Sequence, residues 1–118
     1  MREKRVLIPI LREEVHPRFD RAGEILVAAF SGDGQPLERK ILLLAQPSAD
    51  EICDHVLHER ITHVICGAIE EEYYHYLRWK RIDVLDFVAG PFEEVLARFM
   101  RGEAKSGDVL FARKDVHE

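Results

Sequence analysis

The first half of the chain carries its apolar residues in short, continuous runs, which are typical of strands, and the run at 5–10 suits a strand buried on both faces. Residues 5–10, 24–30 and 38–45 form such runs and are rich in Ile, Leu and Val. The segment 31–36, SGDGQP, contains two glycines and a proline and predicts a tight connection. We therefore expect three consecutive strands, of which the second and third form a hairpin.

The second half alternates between strand-like and helix-like patterns. Helices are predicted over 47–60, 70–80 and 91–103, because their apolar residues recur every three or four positions and their first turns are acidic. Proline and serine precede the first of these helices, and a proline starts the third. Apolar runs at 62–69 and within 81–90 predict a fourth and a fifth strand.

The order of these elements, β-β-β-α-β-α-β-α, predicts an α/β fold with a mixed sheet. Strands joined through helices must be parallel and connected by right-handed crossovers. We predict a five-stranded sheet of spatial order 3-2-1-4-5, with helices on both faces. The length of 118 residues suits one domain, predicted over 1–103 and followed by a C-terminal tail over 104–118.

Composition and charge exclude several classes of protein. With 47% hydrophobic and 33% charged residues, the composition predicts a soluble, cytoplasmic domain. The net charge of −5 and the absence of a dense basic run argue against nucleic acid as a partner. No apolar stretch approaches the roughly 20 residues of a membrane span, and no signal-peptide pattern is present. The two cysteines do not make a disulfide framework.

The topology predicts where a ligand would bind. In open α/β sheets, ligands lie beyond the carboxyl ends of the strands, at the point where the winding direction switches. Here this point falls between the first and fourth strands. Its walls would be EVHPRFDRAGE (14–24), CGAIE (66–70) and DFVAG (86–90).

Three stretches of the sequence carry a resemblance to a known family. They are HPRFDRA after the first strand, THVICGAI in the fourth strand, and VAGPFEEVLARFMRGE at the last helix. Together they resemble the dinitrogenase iron–molybdenum cofactor biosynthesis family, the small domain of NifX-like and NifB-like proteins, over roughly residues 5–103. The resemblance implies a ribonuclease-H-like fold and a role as an accessory protein.

The chain departs from the family pattern at several positions. Much of the family has a histidine where this chain has Arg18 and a glycine where it has Asp20. After the fourth strand Gly67 is retained, but Ala68 and Glu70 follow it. These changes remove the most obvious family ligand and make close approach of a large anionic cluster to the backbone harder.

The residues at the predicted switch point form our candidate site. We predict His16 and Cys66 as metal ligands, because imidazole and thiolate suit iron and other thiophilic metals. One cysteine is far short of the four that a protein-held cluster needs, so an iron–sulfur or iron–molybdenum-type cluster would be a guest. The full set of predicted cofactor-binding residues is His16, Arg18, Asp20, Arg21, Cys66, Gly67 and Glu70.

Simpler interpretations of the same residues remain open. The stretch around His16 would also serve as a polar turn tied by Arg–Asp pairs and anchored in the core by Phe19. Cys66 would also serve as a small buried hydrophobe. The linear run of Cys53, His55 and His58 is not predicted to bind metal, because helical geometry points Cys53 inward and the two histidines outward.

The function predicted is binding rather than catalysis. The first strand contains none of the acids that ribonuclease-H chemistry needs for two magnesium ions, and no phosphate-binding or nucleophile motif is present. We expect a monomeric or homodimeric carrier that exchanges its cluster with a donor or acceptor protein. The alternative is a metal-free protein-interaction module. For a carrier, residues 12–18 are expected to be mobile until a ligand binds, with Phe19 as the fixed anchor.

Overall fold

The computed structural model describes residues 2–111, so residues 112–118 of the predicted tail lie outside it. Its strands are Lys4–Leu11 (β1), Glu14–Val15 (β2), Glu24–Phe30 (β3), Pro36–Leu43 (β4), His63–Ile65 (β5) and Asp83–Leu85 (β6). Its α-helices are Ala49–His58 (α1), Glu71–Trp79 (α2) and Phe92–Met100 (α3).

The order of the sheet is β4-β3-β1-β5-β6. This confirms the predicted order 3-2-1-4-5, with β4-β3-β1 antiparallel and β1-β5-β6 parallel. The predicted number of strands is wrong, because the sheet has six strands and not five. The additional strand, β2, pairs antiparallel with the end of β1 through Ile10 and Val15. Two residues are too short to show the alternation by which a strand is recognised in sequence.

The central strand, β1, is buried on both faces. Leu7 packs with the side chains of one face, and Val6, Ile8 and Ile10 pack with those of the other. The strand continues through Pro9, which pairs with Ile25 of β3. The Pro9 carbonyl points away from β3 and accepts a hydrogen bond from the His16 N–H, so the missing proline N–H costs the β1–β3 ladder nothing.

Helices cover both faces of the sheet, as predicted. On one face, α1 and α2 bury residues that include Ile52, Val56 and Leu77. On the other face, α3 buries Phe92, Val95, Leu96 and Phe99. Between residues 2 and 111, no helix is both long and apolar enough to cross a membrane.

The ends of the helices follow capping rules. The Ser48 hydroxyl accepts a hydrogen bond from the Glu51 N–H at 3.1 Å and caps the start of α1. All three helices end in a residue with left-handed backbone, which is Arg60, Arg81 and Gly102 in turn. In each case the N–H groups of this residue and of the next one bond back to carbonyls of the last turn, which is a Schellman motif.

The first residues of the predicted tail return along the loop that follows β6. The Ala89 N–H donates to the Asp108 carbonyl and the Leu110 N–H donates to the Ala89 carbonyl, both at 2.9 Å. Leu110 packs against the α3 side of the core. The tail therefore lies beside the carboxyl edge of the sheet, close to one wall of the predicted site.

Candidate functional site

The predicted site lies at the carboxyl ends of β1, β5 and β6. The chain leaves β1 through residues 12–23, leaves β5 through 66–70 and leaves β6 through 86–90. The Phe87 N–H donates to the Gly67 carbonyl and the Val88 N–H donates to the Cys66 carbonyl, both at 3.0 Å. The Val15 N–H donates to the Gly90 carbonyl at 2.9 Å. The three segments thus converge, as the topology predicted.

The crevice between β1 and β5 is filled by the chain itself. After Leu11 the backbone turns back, and β2 occupies the position beside β1 that a ligand would take at an open switch point. The His16 N–H donates to the Pro9 carbonyl at 2.9 Å. A ligand could therefore contact only the outer surface of the stretch 14–24, without entering between the strands.

Gly67 is in close contact with this stretch. A Cβ atom on residue 67 would lie 2.5 Å from the Pro17 carbonyl oxygen and 2.6 Å from that of His16. The Ala68 N–H donates to the Pro17 carbonyl at 2.8 Å, and the Phe19 N–H donates to the Ala68 carbonyl at 2.9 Å. The close backbone approach that Gly67 permits is therefore that of residues 16 and 17.

Phe19 anchors the stretch in the core. It begins a 3₁₀ turn, Phe19–Arg21, and its side chain is 0% exposed. Its ring lies 6.2 Å from that of Tyr73, which belongs to α2. The predicted anchoring role of Phe19 is confirmed.

Arg18, Asp20 and Arg21 form a charged group on the outer surface. The Arg18 Nε and Nη2 atoms donate to the two carboxylate oxygens of Asp20, at 3.2 and 3.1 Å. The Arg21 Nε lies 4.0 Å from Asp20 Oδ2, and most of its side chain is exposed. Although burial acts to raise the pKa of Asp20, the Arg18 hydrogen bonds and the nearby positive charges outweigh it and lower that pKa. The group carries two guanidinium charges against one carboxylate.

His16 lies beside this group, half-buried. Its Nδ1 accepts the Arg18 N–H at 2.9 Å, so the proton of the neutral ring is on Nε2, which can donate a hydrogen bond to an anionic ligand. Burial lowers the pKa of His16, against the opposing effect of Asp20. The imidazole is therefore neutral at pH 7, and in this geometry it offers a ligand an N–H donor rather than a free lone pair.

Cys66 does not face a cleft, contrary to our expectation. It is 0% exposed and belongs to the core cluster that includes Leu7, Phe19 and Val64. Burial raises the pKa of its thiol, which keeps the sulfur protonated and a poor ligand. The reason is that the stretch 14–24 crosses over the turn after β5 and covers it.

Glu70 lies at the start of α2, with an exposed side chain. It is the N-cap residue of the helix, and its carboxylate does not cap the helix by a hydrogen bond. The structure thus brings together His16, Arg18, Asp20, Arg21 and Gly67, places Cys66 beneath them, and leaves Glu70 on the surface at the end of the same turn.

Within residues 2–111, no group of three or more His, Cys, Asp or Glu is arranged to hold a metal ion. Cys53 is buried and His58 is exposed, which confirms the geometry predicted for that run. His55 is half-buried and lies 4.0 Å from Glu51. The residues present do not fit a resident metal centre.

Phe87 is a feature of the site that the sequence did not reveal. It follows β6 with a φ of 56° and is 60% exposed. A bulky residue in left-handed backbone is rare, and an exposed aromatic there suggests a constraint other than packing. The loop 86–90 was expected to line the site, but no sequence pattern identifies the unusual backbone of this residue.

Comparisons with known proteins were informative at the level of structure. No profile of a protein family and no curated protein matches the sequence significantly. A crystal structure described as "a putative dinitrogenase" from Methanocaldococcus jannaschii is 20% identical, with a TM-score of 0.69, and the match covers 87% of this chain and 93% of that one.

Two further solved structures share the architecture. The crystal structure of PH0822 is 18% identical, with a TM-score of 0.77, over 86% of this chain and 93% of that one. An NMR structure described as "a putative NifB protein" from Thermotoga is 18% identical, with a TM-score of 0.65, over 95% of this chain and 99% of that one. At these identities the matches show a shared fold, in agreement with the resemblance inferred from the sequence.

Proposed function

We propose that the protein is a non-catalytic, cytoplasmic accessory domain of cofactor biosynthesis, of ribonuclease-H-like fold. Its cargo would be a metal–sulfur cluster or a related anionic cofactor, held as a guest on the outer surface of the stretch 14–24. The observation that carries the proposal is the neutral His16 imidazole beside two guanidinium groups, at the switch point of the sheet. The fold shared with proteins named for dinitrogenase and NifB supports it.

The donor set supports a weakly held guest. His16 offers one N–H donor, on Nε2, and Arg21 offers an exposed guanidinium for an anion. Arg18 is held in place by Asp20, so it contributes charge in a fixed position. The buried Cys66 and the lack of a three-ligand group within 2–111 do not fit a resident cluster. The ligands that coordinate the metal would come from the cargo itself or from a donor or acceptor protein.

The test is anaerobic loading of the purified chain with two probes, ferrous iron plus sulfide and, separately, tetrathiomolybdate. Iron, molybdenum and acid-labile sulfide are then measured per chain after gel filtration. We expect His16→Ala and Arg21→Ala to lower retention by about tenfold, the order found when metal-site contacts are lost. His58→Ala and Arg101→Ala are the controls, because both remove the same side chains from exposed positions elsewhere. Equal loss in all four variants, or no retention by the unaltered chain, would contradict the proposal.

The second candidate function is a metal-free protein-interaction module, and Phe87 favours it. Its exposed ring and left-handed backbone lie at the same edge as a groove of about 680 Å³ whose lining includes Leu11, Val15 and Pro17. The groove is also lined by the charged residues Arg12, Glu13 and Glu14. An exposed aromatic at the same edge as a groove of mixed apolar and charged lining is typical of protein-binding surfaces.

This candidate is distinguished by a photocrosslinking residue placed at position 87. An interaction module would give one specific crosslinked protein in cells, would retain no iron or molybdenum when purified, and would lose the crosslink in Arg12→Glu. The same residue at position 57, an exposed leucine on α1, is the control. A chain that retains metal and gives no specific product at position 87 would exclude this function.

A further inference from the structure

The outer strand β4 has an open edge. Within residues 2–111, no strand pairs with its outer side. The Leu44 N–H donates to the Gly23 carbonyl, towards β3. Because backbone groups alternate in direction along an antiparallel strand, Arg39, Ile41 and Leu43 point their N–H and C=O groups outward. The edge therefore presents unsatisfied donors and acceptors over a regular segment of strand.

The same strand carries a row of exposed apolar side chains. Leu37, Ile41 and Leu43 are 56%, 50% and 74% exposed. They share the face of Arg39, whose guanidinium lies over the ring of Phe92 on α3. A groove of about 470 Å³ opens between β4 and α3, and Leu37 is part of its lining. Natural sheets usually blunt an edge with charges, prolines or bulges. In β4 the proline and the bulge lie at its start, and the apolar side chains of Ile41 and Leu43 remain exposed for a partner.

We propose that the occupant is a second copy of this chain, paired antiparallel through β4 about a two-fold axis that passes through Arg39. The sheets of the two copies would then form one continuous sheet. Within each copy Glu38 and Lys40 lie 3.6 Å apart and also pair with Arg5 and Glu59, respectively. In the dimer, Glu38 of one copy would in addition lie opposite Lys40 of the other, twice, on one face. Leu37 would lie beside Ile41 of the other copy, twice, on the face that carries the groove. The patch is self-complementary, as a two-fold interface requires.

The charge pattern of β4 selects this register. A two-fold axis perpendicular to the sheet keeps opposed residues on the same face, so the axis must pass through one residue position. An axis at Lys40 or at Glu38 would oppose that charge to itself. An axis at Ile41 would oppose Lys40 to Leu42. An axis at Leu42 would match Ile41 with Leu43 but would oppose Lys40 to Leu44. Of the axis positions from 38 to 42, only Arg39 matches opposite charges and apolar side chains together.

The like charges at the axis are already neutralised within each copy. Arg39 forms an ion pair with Glu93 and lies 5.6 Å from the Phe92 ring centre. Pairing is also limited in length, because the register against β3 shifts between Ala29 and Phe30 and Pro36 starts the strand. A short, bulged edge favours one closed pair of copies over an open-ended fibre.

The test uses two charge variants of the full chain, Glu38→Lys and Lys40→Glu, in sedimentation equilibrium over a concentration series. In a dimer of either variant alone, residues 38 and 40 of opposite copies carry the same charge at both pairs. Each variant should therefore dimerise about tenfold more weakly than the unaltered chain. Mixed in equal amounts, the two variants oppose Lys to Glu at every pair, and the mixture should recover the dimer. Ile41→Lys should abolish dimerisation, whereas Leu57→Lys, an exposed leucine on α1, should not.

Circular dichroism and thermal melting of each variant show whether it has kept its fold. An unaltered chain that stays monomeric at every concentration would overturn the proposal and leave the edge to a different partner. A dimer that survives Ile41→Lys would place the interface elsewhere. Failure of the mixed variants to recover the dimer would overturn the register.

Discussion

The Pro17 carbonyl lies directly over Gly67. A Cβ atom at residue 67 would approach that oxygen to 2.5 Å, and the Ala68 N–H donates to it at 2.8 Å. The glycine and the stretch 14–24 are thus fitted to each other. This contact explains why the turn after β5 contains a glycine without invoking a ligand at its backbone.

Gly67→Ala should therefore destabilise the protein by about 1–3 kcal/mol, the usual cost of overpacking, because both clashing atoms belong to the backbone. Urea unfolding measures this change. Gly23→Ala is the matched control, since a Cβ at Gly23 meets no atom within 4 Å. We expect the control to be neutral or slightly stabilising. A Gly67→Ala variant as stable as the control would show that the stretch 14–24 is not packed against this turn.

The ends of α1 and α2 offer a gain in stability. Arg60 and Arg81 adopt φ values of 57° and 67°, at the helix-end position where glycine is preferred. Arg60→Gly and Arg81→Gly should each raise the free energy of unfolding by about 1 kcal/mol, because glycine relieves the left-handed strain. Thermal unfolding tests this. Arg60→Ala is the control and should give no such gain. Gly102→Ala, at the same position after α3, should lower the free energy of unfolding by about as much as Arg60→Gly or Arg81→Gly raises it.

Hydrogen exchange distinguishes the two interpretations of the stretch 14–24. The amides of Val15, His16 and Phe19 bond to the carbonyls of Gly90, Pro9 and Ala68 at 2.9 Å. We expect these amides to exchange slowly in the ligand-free protein, because the bonds tie the stretch to three different segments. Exposed Arg12 is the reference for fast exchange. Fast exchange at Val15 and His16, with Phe19 still protected, would support the expectation of a loop that becomes ordered on binding.

The two cysteines should be unreactive in the folded protein. Burial raises the pKa of the Cys53 thiol to about 12 and raises that of Cys66 further. Since the thiolate is the reactive form, iodoacetamide should label neither residue until the chain unfolds. Mass spectrometry with and without guanidinium chloride measures this. Rapid labelling of Cys66 in the native state would return it to the list of candidate ligands.

The free energy of unfolding should decrease as the pH is lowered, because the half-buried histidines become protonated. Burial lowers the pKa of His63 below its usual value of 6.5, against the opposing effect of Asp83. The unfolded chain therefore binds the proton more readily. Stability is full above pH 6.5 and is lost as the pH falls through the lower folded pKa. His16 acts in the same direction.

Urea unfolding on both sides of pH 6.5 measures this dependence. His63→Gln should reduce the slope of stability against pH, and His16→Gln/His63→Gln should reduce it further. Unchanged slopes in both variants would mean that the titration of other groups sets the acid limit.

Much of the fold follows from local sequence patterns. Continuous apolar runs, helical spacing and turn residues gave the order of the elements, and the order of the elements led to the sheet order and to the edge at which the candidate residues meet. Phe19 was recognisable as an anchor because it is the one large apolar residue in a charged stretch. These features depend on neighbours in the chain, so the sequence by itself determined them.

Contacts between distant segments were decided by the tertiary structure alone. The pairing of Val15 with Ile10 fills the crevice, and the path of residues 16 and 17 over Gly67 buries Cys66. Whether a turn stays open depends on which backbone groups its neighbours leave unbonded, and that is known only when all the segments are in place. The edge position of β4 followed from the predicted sheet order, whereas the left-handed backbone of Phe87 carries no signal in the order of residues.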